Sequence, residues 1–188
     1  MLHALLADRF KLAAHVEQRE QDIFELVVVC RDGRLGAGLQ PIDLDCARVL
    51  EERLTAQPTT FPPPGGPPDF AAPTPPCSYR MRPDRSDGRS SYVLEGSGTM
   101  QDLARALQLT NVGRIIVNKT NLAGIFKFRT NFDLMATLAP LRAATAPTSD
   151  AGPTIFSAIQ DQLGLKLQAS RAPVDTLVID HLERPSED

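Results

Sequence analysis

The stretch Thr99-Met100-Gln101-Asp102-Leu103-Ala104-Arg105-Ala106-Leu107, read on to Phe132, decides the fold. Thr99 followed three residues later by Asp102 is a helix-start signal of the capping-box type, with Asp in place of the longer Glu. Met100, Leu103 and Leu107 then fall at i, i+3 and i+7, one apolar stripe of a helix. A β-branched run at Arg114-Ile115-Ile116-Val117 predicts a strand, and Asn118-Lys119-Thr120-Asn121 a polar turn. After Gly124, Phe126, Phe128 and Phe132 alternate with Lys127, Arg129 and Asn131. That period of two predicts an antiparallel strand with one buried and one wet face.

Working outward, the same order of helix, strand, turn and strand is expected twice more. Toward the C-terminus, Thr154 to Leu163 repeats the stripe with Phe156, Ile159 and Leu163, and Gly164 is suited to the C-terminal cap. Leu165, Leu167 and Ala169 alternate with Lys166 and Gln168, Pro173 marks a turn, and Val174 to Leu182 is the last strand. Toward the N-terminus, Leu2, Leu5 and Leu6 give the first helix one apolar face. A strand follows through Leu12, Ala14 and Val16, the polar run Gln18 to Asp22 is a turn, and Ile23 to Cys30 is a second strand.

The expected fold class is therefore α+β, three helix–strand–strand repeats with antiparallel sheet and a proline-rich loop insertion. Its segments are residues 1–45 (first unit), 46–95 (a cysteine-flanked proline-rich loop and connection), 96–137 (second unit), 138–152 (linker) and 153–188 (third unit). Residues 57–76 hold nine of the sixteen prolines. A segment so poor in N–H donors reads as an extended loop and not as part of a sheet.

At 188 residues and 42% hydrophobic content the chain is long and apolar enough to bury a core. The net charge of −3 and an aromatic content of 5% argue against nucleic acid as a partner. Arg80, Arg82, Arg85 and Arg89 are interrupted by Asp84 and Asp87, which reads as a solvated loop. No apolar run reaches the ~18 residues that span a bilayer, so no transmembrane segment is expected.

Chemistry-bearing residues are scattered. His3, His15 and His181 lie in different units, and no Gly-x-Ser-x-Gly accompanies them. Asp180-His181 with Glu183 reads as a solvated strand end. No Cys-x-x-Cys or Cys/His spacing supports a metal site. Gly96-Ser97-Gly98 before a helix is a weak anion signal, and Asn118-Lys119-Thr120, although a glycosylation triplet, reads as a turn. No catalytic residue, cofactor or metal is expected.

Three phrases carry a resemblance: Met1-Leu2-His3-Ala4-Leu5-Leu6-Ala7-Asp8-Arg9-Phe10-Lys11-Leu12, Val117-Asn118-Lys119-Thr120-Asn121-Leu122-Ala123-Gly124, and Gln162-Leu163-Gly164-Leu165-Lys166-Leu167. With the ending Val178 to Glu187 they resemble, in order, the soil-associated protein family expanded in acidobacteria, a domain of unknown function. Asn118 and Asn121 stand where that family's pattern favours Asp and Gly. The resemblance implies a secretion leader and a further N-terminal segment upstream, hence a chain beginning part-way through the family pattern. It implies no activity and no catalytic set.

The extracytoplasmic compartment implied by that resemblance bears on the cysteines. Cys46 and Cys77 flank the proline-rich loop, and in an oxidising compartment a bridge between them would tether its ends. Three unrelated thiols, with Cys30, are the alternative. The expected function is a non-catalytic extracytoplasmic interaction module engaging a protein or envelope component. A carrier or sensor binding a small ligand between repeats is the other reading. An exposed sheet edge or flat apolar patch would favour the first, a deep apolar pocket with converging polar groups the second.

Overall fold

Strict alternation in Ile125–Asp133 does build the strand on which the larger unit is organised. In this computed structural model the chain is described over residues 2–29, 33–56, 72–84, 91–110, 112–138 and 152–184, with Leu2 and His3 described for the backbone alone. In chain order the elements are α1 (Leu2–Phe10), β1 (Ala13–Val28), β2 (Leu39–Ile42), α2 (Cys46–Thr55), β3 (Tyr79–Asp84), β4 (Ser91–Gly98), α3 (Met100–Gln108), β5 (Ile115–Asn118), β6 (Ile125–Asp133), α4 (Leu134–Leu138), α5 (Ile155–Ala158), a π-helical turn (Ile159–Leu163) and β7 (Leu165–His181). The fold is mixed α+β, and contacts divide it into residues 24–169 and a smaller unit of residues 1–23 with 170–188.

In the larger unit β6 lies inside a four-stranded sheet of order β2-β6-β4-β3, antiparallel throughout. Its register pairs Phe128 with Leu39 on one side and with Gly96 on the other. One face carries Leu39, Leu94, Phe126, Phe128 and Phe132 into the core. Helix α3 covers that core with Met100, Leu103, Ala104, Ala106 and Leu107, all buried, as the apolar stripe predicts. Thr99 Oγ1 accepts from the Asp102 N–H while Asp102 Oδ2 accepts from the Thr99 N–H, completing the capping box. The short Asp side chain reaches because both bonds stay near 3 Å, at 2.9 and 3.2 Å.

Gly96 shows why β4 carries glycine here. A Cβ at that position would sit 2.4 Å from the Ser78 carbonyl oxygen, inside the closest allowed approach of β3. Gly96-Ser97-Gly98 is thus the end of β4, and close packing against Ser78 and Tyr79 accounts for the glycine at 96.

Thr130 Oγ1, on the core face of β6, is fully buried with no hydrogen-bond partner among the described residues. Thr130→Val exchanges that hydroxyl for a methyl of equal shape. It should raise the unfolding free energy by about 1 kcal/mol, read as a shift in the denaturant midpoint at unchanged slope.

The helix–strand–strand repeat does not appear in the expected form. Gln18 to Asp22, expected as a turn, continues β1, because Gln18, Gln21 and Asp22 find partners across the ribbon in Asp175, Thr176 and Arg171. No glycine or proline in the run forces a reversal. β7 likewise runs unbroken through Pro173, which fits a strand wherever its missing N–H is not needed. In the second unit β5 joins β1 in a three-stranded sheet of order β5-β1-β7, while β6 joins the four-stranded one. Asn118 Oδ1 accepts from Thr120, and positive φ at Asn121 (58°) and Gly124 (99°) redirects the chain between them.

Two helical stripes also differ. In α1 Leu5 is 55% exposed, and no described side chain of the helix is buried, since the small unit holds too little apolar material to cover it. Near the third start the buried residues are Ile155, Ala158, Ile159 and Leu163. The i+5 bonding of the π turn shifts the stripe, and Phe156 instead meets Phe24 edge-on at 5.5 Å. Gly164 closes that turn at φ 71°, as its glycine predicts.

Residues 46–95, expected as loop and connection, contain α2, β3 and β4. Asp45 caps α2 by accepting from the Arg48 N–H at 3.1 Å. The proline-rich residues 57–71 and the expected linker residues 139–151 lie outside the described residues.

In the small unit α1 leads through Lys11, at φ 51°, into β1. The contacts Phe10–Glu183, His15–Asp180 and Asp22–Arg171 run in opposite senses along the two strands, so β1 and β7 are antiparallel here.

Candidate functional site

Period-two alternation places Val16 on β1, and Leu177 and Ile179 on β7, as apolar positions of the ribbon in the small unit. These side chains are 63%, 66% and 58% exposed, and Leu182 beyond β7 is 58% exposed. Large apolar side chains this open on strands are what a protein contact would cover. Around them the ribbon is polar: Gln21 Nε2 donates to Thr176 Oγ1 at 2.8 Å, and Arg171 pairs with Asp22 at 3.4 Å.

His15 lies in the same ribbon, its Nδ1 2.8 Å from Asp180 Oδ2 and its Nε2 3.7 Å from Glu17 Oε2. The hydrogen bond to Asp180, followed by that carboxylate's charge and by Glu17, raises the imidazole pKa above its ordinary value. A raised folded-state value means the contact favours folding below about pH 6.5 and that this contribution is lost as pH rises through the raised value. An NMR titration should place the His15 midpoint above about 6.5, and Asp180→Asn should lower it. His181 Nε2 meets Glu183 Oε1 at 2.8 Å, with both side chains more than half exposed. The pair sits at a solvated strand end, as the sequence suggests. His3 falls outside the described side chains.

The second feature belongs to the larger unit, on the sheet face opposite the core. Register aligns Arg80, Glu95 and Arg129 in one row across β3, β4 and β6. Glu95 is only 15% exposed, and its carboxylate gathers three guanidinium groups. Arg80 Nη2 donates to Oε1 at 3.0 Å, Arg82 Nε to Oε1 at 3.2 Å, and Arg129 Nη1 to Oε2 at 3.1 Å. Thr74 Oγ1 adds a fourth donor at 3.0 Å. Burial pushes the Glu95 carboxyl up, but the hydrogen bonds from Arg82, Arg80 and Thr74 outweigh it and hold the pKa at about 2.

Arg80 and Arg82, expected in a solvated loop, are thus strand residues anchored on a carboxylate; Arg85 and Arg89 lie outside the described residues. The legible signal was Tyr79-Arg80-Met81-Arg82, whose alternation puts two arginines on one strand face. Glu95 carried no signal in sequence, because its partners come from 13, 15 and 34 residues away.

Two open grooves flank β6 on this face. One, of about 490 Å³, is lined by Ile42, Leu44, Pro73 to Pro76, Glu95, Gly96, Ser97 and Lys127 to Arg129. The other, of about 550 Å³, is lined by Ala37, Gly38, Gln40, Lys127 to Arg129, Asn131, Asp161 and Gln162. Gln162 acts there as a stand-in for a neighbouring strand, its side-chain amide donating to the Asn131 carbonyl and accepting from the Asn131 N–H, each at 2.8 Å.

Cys46 and Cys77, the paired candidates of the sequence, lie at disulfide distance, with Cα atoms 5.5 Å apart. They join the start of α2 to the approach to β3. Cys30 lies outside the described residues. Among the described residues there is no cluster of His, Cys, Asp and Glu able to hold a metal, and no helix long and apolar enough to cross a membrane.

No curated protein and no solved structure matches this chain. Residues 1–182, nearly its whole length, match the family described as protein of unknown function (DUF3738), and the chain belongs to that family.

Proposed function

We propose that this domain is a non-catalytic interaction module that works outside the cytoplasm, engaging a protein or envelope component through the β1/β7 ribbon. The observation that carries this reading is the exposure of Val16, Leu177, Ile179 and Leu182, between 58% and 66%. A two-stranded ribbon is marginal on its own, and an apolar contact across its face would stabilise it. The cysteine pair fits an oxidising compartment, where a bridge between Cys46 and Cys77 would persist. The soil-associated, acidobacterial setting implied by the sequence resemblance belongs to the same proposal.

The test is photo-crosslinking from Leu177 and Ile179 in an envelope extract of the source cells, with quantitative mass spectrometry. One saturable partner is expected, lost in the Leu177→Asp/Ile179→Asp double variant while the larger unit keeps its unfolding transition. Crosslinking that does not saturate, or a partner retained by the double variant, would overturn the reading.

A further inference from the structure

β6 presents Lys127 and Arg129 two residues apart on the wet face of its sheet, and both flanking grooves share them. Behind them stand Arg80 and Arg82, so this face carries four cationic groups, of which Arg80, Arg82 and Arg129 meet the carboxylate of Glu95, with Asp84 at the edge of the row. This local excess of positive charge occurs in a chain whose net charge is −3. Glu95 occupies the donors of Arg80 and Arg82, whose side chains are 24% and 22% exposed. Arg129 is different: it commits Nη1 to Glu95 but remains 59% exposed. Lys127 is exposed and has no ion-pair partner among the described residues.

Beside this cationic pair the smaller groove is apolar along its other wall, with Ile42, Leu44, Pro73, Pro75 and Pro76. Prolines make such a wall stiff, so little side-chain freedom is lost when it is covered. Its volume of about 490 Å³ falls within the range of small-molecule sites. We propose that the outer face of β2, β6 and β4 binds a small amphipathic organic anion. Its carboxylate or phosphate head lies between Lys127 and Arg129, and its apolar body lies along Ile42, Leu44 and the prolines.

The geometry favours a small anion over an extended one. Asp161 borders the second groove, and Asp84, hydrogen-bonded to Asn131 at 3.1 Å, flanks the arginine row. The positive field is therefore short, about the span of two side chains, where a nucleic acid would need a continuous stripe. Glu95 shapes the site by holding Arg129 through one charge-assisted bond at Nη1, while the arginine side chain stays 59% exposed. This site belongs to the larger unit and does not depend on the ribbon reading, so either can fail alone.

The test titrates decanoate and decyl phosphate, below their micelle concentrations, into the isotope-labelled full chain followed by NMR, with decyl maltoside as the uncharged control. Saturable shifts are expected at Gln40, Ile42 and Lys127 to Arg129. Lys127→Ala, an exposed change that leaves the core untouched, should weaken binding by about tenfold or more, as should Leu44→Asp. A response to decanoate alone assigns a carboxylate head, to decyl phosphate alone a phosphate head, and to both the chemistry they share. The proposal is overturned if neither anion shifts these amides, if Lys127→Ala binds as tightly as the parent, or if decyl maltoside binds as well as the anions.

Discussion

Replacing Glu95 with alanine should cost about 2–3 kcal/mol of folding stability at neutral pH, and the loss should depend on pH in a defined window. The reason is the three guanidinium groups that its carboxylate holds at 3.0 to 3.2 Å. Without it Arg80 and Arg82, each less than a quarter exposed, keep their charge and lose their partner. The figure is set below that of a fully buried pair because solvent reaches the edge of the cluster. The folded-state pKa of Glu95 is depressed to about 2 from an ordinary value near 4.5. A depressed carboxylate stabilises the fold above its unfolded pKa and stops doing so as pH falls through its folded pKa. Unfolding free energies of the parent and of Glu95→Ala should therefore differ fully at pH 6, converge as pH drops below about 4.5, and nearly meet at about pH 2. A constant difference across that range would mean that lost packing, and not the charge cluster, is what the substitution measures.

Reduction of the Cys46–Cys77 pair should lower stability by about 3–4 kcal/mol, the chain-entropy value for its 31-residue separation. The cross-link acts mostly on the unfolded chain, which can no longer spread the proline-rich segment away from β3. Denaturant midpoints of the oxidised and reduced protein should differ accordingly. The Cys46→Ala/Cys77→Ala variant should match the reduced form and ignore reductant. Thiol labelling of the oxidised, unfolded protein should mark one cysteine of the three. Finding both Cys46 and Cys77 free after oxidation, or equal midpoints with and without reductant, would remove the bridge from the account.

How much of this was legible in the sequence follows from the range of the interactions concerned. The capping box at Thr99 and Asp102, the α3 stripe, the Gly164 cap and the alternation of β6 rest on residues within seven positions of one another, so local spacing determined them. Cys46 and Cys77 stood out as a pair because they bracket the prolines. The arrangement of strands was decided elsewhere. Gln18 to Asp22 is polar enough for a turn, and only partners at 171, 175 and 176 make it strand. Arg80 and Arg82 read as solvated until Glu95 and Arg129 are brought beside them by the register of three strands. α1 has an apolar stripe like α3, yet Leu5 stays exposed, because a stripe is buried only where tertiary structure supplies a surface for it. The sequence alone determined the α+β class and the central helix and strand; it offered Cys46 and Cys77 as one possible pair, and the tertiary structure brought them to disulfide distance. Tertiary pairing decided which polar runs become sheet and where three guanidinium groups converge on Glu95, since a hydrogen bond or ion pair between distant residues leaves no periodic trace in the chain.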